Sequence, residues 1–158
     1  MSHVQGLSRN DLSVLIDRFV DVFNVNDLDA VIRHFTPDAR YVTFDGHEHR
    51  GQAQIRAAFV PQFRGDFGQM YFAVQNRIID EESQSAVVLW TCRHELSRAI
   101  DFRKLPAARS LLVRGLYGKV YSWQGLDVLS FEGNLVREKR TYSQAHMPLG
   151  RGERWSSV

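Results

Sequence analysis

Two ionisable side chains stand alone on strand faces that are otherwise apolar. Between Tyr121 and Phe131, every second residue reads Tyr121, Trp123, Gly125, Asp127, Leu129, Phe131, and the intervening positions include Ser122, Gln124 and Ser130. Such alternation puts Asp127 on the apolar face of a strand. A carboxylate there is costly unless hydrogen-bonded, and desolvation favours its neutral form. A carboxylic acid poised in this way can act as a general acid or as a donor to an oxyanion. The structural alternative is an acid that caps a backbone amide or pairs with an arginine.

The stretch from Ala86 behaves alike. Its even positions are Ala86, Val88, Trp90, Cys92, His94 and Leu96. His94 is the one ionisable group among them, while Arg93 and Glu95 fall on the other face and suit an exposed pair. Histidine titrates near neutral pH and can carry protons. Its structural alternative is a core imidazole whose partners are satisfied. If the two strands are neighbours, His94 and Asp127 can share one pocket as a proton-transfer dyad. Trp90, Trp123 and Phe131 would then be walls, with Tyr41 and Thr43 on an earlier strand as further wall candidates.

The elements that must position these groups follow from periodicity and caps. Ser8 and Asp11 stand in capping-box spacing, and Leu12, Leu15, Ile16, Phe19 and Phe23 recur at helical intervals to about Asn24. Asp27 caps a short second helix that Pro37 prevents from continuing. Arg40 to Phe44 reads as a strand, Asp45-Gly46 as a turn, and Arg50-Gly51 closes the loop. Gln52 to Phe59 is a third helix, with Pro61 expected to kink or end it. The period then changes to two. Strands are expected over Met70 to Ile79, Ser85 to Arg98, Leu111 to Phe131 and Leu135 to Ser143, the last two joined by a hairpin at Glu132-Gly133-Asn134. Ile100 to Ser110 reads as an irregular basic connection. Helices first and neighbouring strands afterwards predict an α+β fold, with helices packed on one face of an antiparallel sheet.

Composition sets bounds. At 158 residues the chain fits one domain, residues 1–158, with flexible tails expected at 1–7 and 148–158. Twenty basic and eighteen acidic residues leave a net charge of +2, too balanced for a nucleic-acid surface. Basic residues do gather over Arg98 to Arg114 and Arg137 to Arg140, which read as solvated stretches. The single cysteine, Cys92, excludes an internal disulfide, and its apolar run suits a buried hydrophobe better than a reactive thiol. No apolar run approaches a membrane span and no signal core opens the chain, so a cytoplasmic protein is expected.

Three segments taken together, NDLDAVIRHFTPDARYVTFDG, RGQAQIRAAF and YSWQGLDVLSFEGNLVREKRTY, carry a resemblance. In their order and spacing the chain resembles the nuclear-transport-factor-2-like superfamily over residues 8 to 145. That superfamily includes SnoaL-like polyketide cyclases and ketosteroid isomerases. The resemblance implies a cone: a curved antiparallel sheet wrapped around three N-terminal helices with an internal pocket, often in a homodimer packed sheet against sheet. Against the isomerase pattern the match is partial. Thr43 stands where those enzymes have a catalytic Asp, Phe19 where they have a Tyr, and only Asp127 matches their second oxyanion donor. The pattern also implies that Glu138, Arg140 and Tyr142 on the last strand face the pocket. Tyr142 would be a wall residue and Arg140 would neutralise Asp127, the alternative being that Glu138 and Arg140 lie at an interface or in solvent. Arg93-His94-Glu95 is a poor match to the Arg-x-acid of limonene-epoxide-hydrolase-like enzymes. His47-Glu48-His49 lacks a fixed third ligand for a metal.

Two functions from different classes fit these residues. The first is a cofactor-independent isomerase, dehydratase or cyclase acting on a hydrophobic, carbonyl-bearing small molecule, with Asp127 and His94 catalytic. The second is a non-catalytic binding or accessory module.

Overall fold

The computed structural model describes residues 6–65, 68–95 and 120–144. Three helices, α1 (Arg9–Asn24), α2 (Leu28–Arg33) and α3 (Gly51–Phe63), accompany six strands, β1 (Phe35–Val42), β2 (Glu48–Arg50), β3 (Gln69–Asp80), β4 (Ser85–Glu95), β5 (Val120–Glu132) and β6 (Leu135–Gln144). The strands form one sheet in the order β2-β1-β6-β5-β4-β3. Every pairing is antiparallel except β1 with β6, so the sheet is mixed where a purely antiparallel one was expected.

The helix starts obey the caps in the sequence. Ser8 and Asp11 form the full capping box of α1, and the Asp27 carboxylate accepts the Ala30 amide at 2.8 Å to start α2. Leu12, Ile16, Phe19 and Phe23 are the buried stripe of α1. They meet Val31, Phe35, Ile55 and Phe59 in one core, stitched by edge-on rings such as Phe19–Phe23 at 5.1 Å and Phe23–Phe59 at 5.3 Å. At the end of α1, Asn24 clasps the backbone of edge strand β3. Its amide donates to the Phe72 carbonyl at 2.9 Å and its oxygen accepts the Phe72 N–H at 2.7 Å. The clasp occupies backbone groups that an edge strand otherwise leaves open.

Two helix and strand limits differ from the expectation. β1 starts at Phe35 and passes through Pro37, where its pairing with β6 is irregular and the proline's missing N–H costs no ladder bond. α3 continues through Pro61 to Phe63, and the N–H of its cap residue Arg64 bonds back to the Val60 carbonyl. Of the expected tail 1–7, Leu7 is tied to the Gln84 side chain by two bonds of 2.9 Å. The basic segment Arg98 to Arg114, the strand expected before residue 120 and the C-terminal tail lie outside the described residues. No described helix is long and apolar enough to cross a membrane.

Two bulges govern which side chains look inward. In β3 an extra residue, Gln75, sits between the Val74–Trp90 and Asn76–Leu89 pairs. In β6 the extra residue is Arg137, because Ser130 pairs with Glu138 but Phe131 pairs with Val136. A bulge shifts the alternation of its strand by one residue.

Candidate active site

A cavity of about 380 Å³ opens between the helices and the inner face of the sheet. Phe19, Phe23, Phe59, Phe72 and Trp90 give it apolar walls. A polar cluster interrupts them on the sheet. Asp127 on β5 faces Thr141 on β6, and Lys139 lies two residues from Thr141 on the same inner face. The Lys139 ammonium forms an ion pair with Asp127 Oδ1, and the Thr141 hydroxyl donates to the same oxygen at 2.6 Å. Lys139 also donates to Thr141 Oγ1 at 2.6 Å. Its Nζ lies 5.2 Å from the centroid of the Tyr41 ring, a cation–π contact.

Lys139 is only 5% exposed. Burial pulls its pKa below the ordinary lysine value, and the charge of Asp127 opposes the shift. Burial pushes the Tyr41 phenol above its ordinary value, helped by the Asp127 charge and opposed by a hydrogen bond to Thr141. The cluster is therefore an acid, an amine and two hydroxyl groups, bonded together, with Lys139 and Tyr41 buried.

The pocket contains most of the residues expected from sequence. Phe19, Tyr41, Thr43, Trp90, His94, Trp123 and Asp127 all line it. Three do not. Phe131 is buried in the helix–sheet core beyond the cavity, at 6% exposure. Arg140 lies on the outer face and bonds Glu138 at 3.2 Å, and Tyr142 on that face is half exposed. Arg140 is thus not the partner of Asp127; Lys139 is. The cause is the Arg137 bulge. Strict alternation from the buried Val136 would turn 138, 140 and 142 inward, whereas the extra residue turns Lys139, Thr141 and Ser143 inward instead.

His94 and Asp127 share the cavity without touching. Asp127 pairs with Val88, six residues before His94 on β4, so the two lie roughly 20 Å apart along the strand. His94 is fully buried at its own end, its Nε2 3.4 Å from Cys92 Sγ and its ring edge-on to Trp123 at 4.7 Å. A directly bonded His94–Asp127 dyad is therefore replaced by two separate polar stations. Burial pushes the Cys92 thiol up to about 12. We expect Ellman's reagent to leave Cys92 unmodified at pH 8 in the folded protein and to titrate it fully in guanidinium. A rapid native reaction would show that the thiol is open.

Sequence reasoning missed the cavity's rim. Asp45, His47 and His49 all line it. His47 Nδ1 lies 3.1 Å from Asp45 Oδ2, and the Thr43 hydroxyl also donates to Asp45. These contacts, the Thr43 hydrogen bond first, hold the Asp45 carboxyl down to about 2. His49 stacks loosely on Tyr41 at 6.0 Å. Among the described residues no group of three histidine, cysteine or acidic side chains is placed to hold a metal ion.

Comparison with known proteins agrees with this fold. The family model described as a SnoaL-like domain matches residues 16–139. Among solved structures, the chain is similar to AclR from Streptomyces galilaeus, with 18% identity, a TM-score of 0.67 and coverage of 91% of this chain and 96% of that one. It is similar to AusH from Aspergillus nidulans at 14% identity and a TM-score of 0.67, covering 89% and 88%. It is also similar to a cystatin-like-fold protein from Methylobium petroleophilum PM1, at 22% identity and a TM-score of 0.60, covering 96% of both chains. At these identities the likeness shows the fold alone. No curated protein matches the chain significantly.

Proposed function

Because the chain belongs to the SnoaL-like domain family, we propose that it is a cofactor-independent isomerase, dehydratase or cyclase acting on a hydrophobic, carbonyl-bearing small molecule. The observation that carries this reading is the acid–amine–hydroxyl cluster of Asp127, Lys139, Thr141 and Tyr41, set beside the aromatic walls of the cavity. Substrate carbon would lie against the phenylalanine and tryptophan walls, with its carbonyl oxygen toward Lys139. Both bonds to Asp127 fall on Oδ1, and Oδ2 takes part in neither. Asp127 would use Oδ2 to take a proton from the carbon next to the carbonyl. The adjacent cation offsets the charge that develops on the carbonyl oxygen. His94, at the far end, would receive a second polar group of the substrate.

The test is a panel of steroid, terpenoid and aromatic polyketide ketones, with binding followed by tryptophan quenching and turnover by mass spectrometry. Wild-type protein should bind one class and exchange or isomerise it, and Asp127→Asn should bind it with turnover reduced by about 10²-fold or more. Unaltered turnover in Asp127→Asn would remove Asp127 from the chemistry. Binding without turnover in the wild type would favour the non-catalytic module, which the fully occupied Oδ1 also suits.

The outer face of the sheet supports a homodimer as the working form. Ile78, Val87 and Val128 form a continuous row across β3, β4 and β5, with Ile78 62% exposed and Tyr142 beside the row half exposed. Sedimentation should give a dimer for the wild type and a monomer for Val128→Glu. A wild-type monomer at micromolar concentration would end this part of the proposal.

A further inference from the structure

We infer that Lys139 is a nucleophilic amine that captures aldehydes and ketones in this cavity as an iminium ion. The inference rests on the proposal that the cavity accepts a carbonyl compound, and it names how the carbonyl would be held.

Three observations lead to it. First, Lys139 is 5% exposed and its Nζ lies over the Tyr41 ring at 5.2 Å, yet the residue lines the cavity. An amine in such surroundings keeps its lone pair available more readily than one in water. Second, it is flanked by the groups that imine formation requires. Asp127 can relay protons, and the Thr141 hydroxyl bonds both partners at 2.6 Å. Third, the residue type is uncommon in this chain. Lys104, Lys119 and Lys139 are its only lysines, and every other basic residue is an arginine. An arginine would neutralise Asp127 as well or better but cannot lose its proton, whereas a lysine can.

The step balances without an outside reagent. Asp127 takes one proton from the Lys139 ammonium, and the amine lone pair attacks the carbonyl carbon while the C=O π pair moves onto oxygen. That oxygen acquires two of the three ammonium protons, one of them through Asp127, and leaves as water. The remaining proton stays on nitrogen, now double-bonded to carbon, so the single positive charge is conserved beside the Asp127 carboxylate. The iminium is a stronger electron sink than the carbonyl it replaces, so deprotonation at the adjacent carbon becomes easier.

The test uses naphthaldehyde and sodium cyanoborohydride at pH 7 on the whole protein, with peptide mapping of the reduced adduct. A parallel titration without reductant follows tryptophan quenching. Lys139 should be trapped at least about tenfold faster than Lys104 and Lys119, because the cavity holds the aldehyde beside an amine that burial inclines to the uncharged form. Lys139→Arg should abolish the preferential adduct and leave the slow labelling of Lys104 and Lys119 unchanged. If that variant does not fold, the wild-type map decides alone. Saturable quenching with no preferential adduct at Lys139 would overturn the inference and leave the cavity as a carbonyl-binding site. Absence of both saturable quenching and preferential labelling would overturn the inference together with the proposal beneath it.

Discussion

Replacing either member of the Asp127–Lys139 pair alone is expected to cost about 3–5 kcal/mol of unfolding free energy. The two side chains are 14% and 7% exposed, so each sits in a medium where an isolated charge is poorly solvated. Asp127→Leu strands the Lys139 ammonium, and Lys139→Met strands the Asp127 carboxylate. The double variant strands nothing, and buried ion pairs replaced by apolar residues of similar size lose little. We therefore expect Asp127→Leu/Lys139→Met to regain most of the loss in chemical denaturation, giving a coupling energy of several kcal/mol. Additive losses would mean that the pair is hydrated and that the cluster is open to solvent. In either outcome the double variant should bind no carbonyl ligand through this end of the cavity, so stability and function separate cleanly.

A second large effect is expected at Gly125. A methyl group there would stand 2.5 Å from the Tyr142 carbonyl oxygen and 2.6 Å from Cζ2 of Trp90, both well inside van der Waals contact. Trp90 lies directly across the sheet from Gly125 and holds Phe72 edge-on at 5.3 Å, so its ring cannot retreat without moving a cavity wall. Gly125→Ala is expected to lose about 3 kcal/mol or more and to shrink or distort the pocket. Trp90→Leu in that background relieves the ring overlap but not the carbonyl contact, so it should restore stability only in part. A Gly125→Ala variant of wild-type stability would show that the strand can shift here and that the Trp90 wall is adjustable.

Much of this architecture was legible in the chain because it is local. Ser8, Asp11 and Asp27 start helices through bonds spanning three residues, and the phase of β4 survives unbroken from Ala86 to His94. Asp127 could be found because its strand, too, keeps its alternation from Trp123 to Phe131. What was not legible depends on pairing between strands. The Arg137 bulge exists only relative to β5, and the family resemblance had put Glu138, Arg140 and Tyr142 on the pocket face. Lys139 and Thr141 were hidden by that shift. A signal was present in Val136 and Lys139 being three apart within a strand, but it has meaning only once both are known to be buried. His47 and His49 were obscure for another reason: β2 is three residues long, too short for a period to emerge.

The Arg137 bulge also bears on how such a pocket could change over generations. β6 carries two ready-made sets of side chains, one on each side: Lys139, Thr141 and Ser143, or Glu138, Arg140 and Tyr142. Regular pairing of Arg137 with Ser130, the bulge closed and no residue lost, would turn the rest of the strand over and present the second set to the ligand. An ammonium and two hydroxyls would give way at once to a carboxylate, a guanidinium and a phenol, while the helices and the aromatic walls kept their sequence. Chemistry in this scaffold is thus encoded partly as a reading frame of the sheet, and closing one bulge could recast it where a series of point substitutions would be needed otherwise.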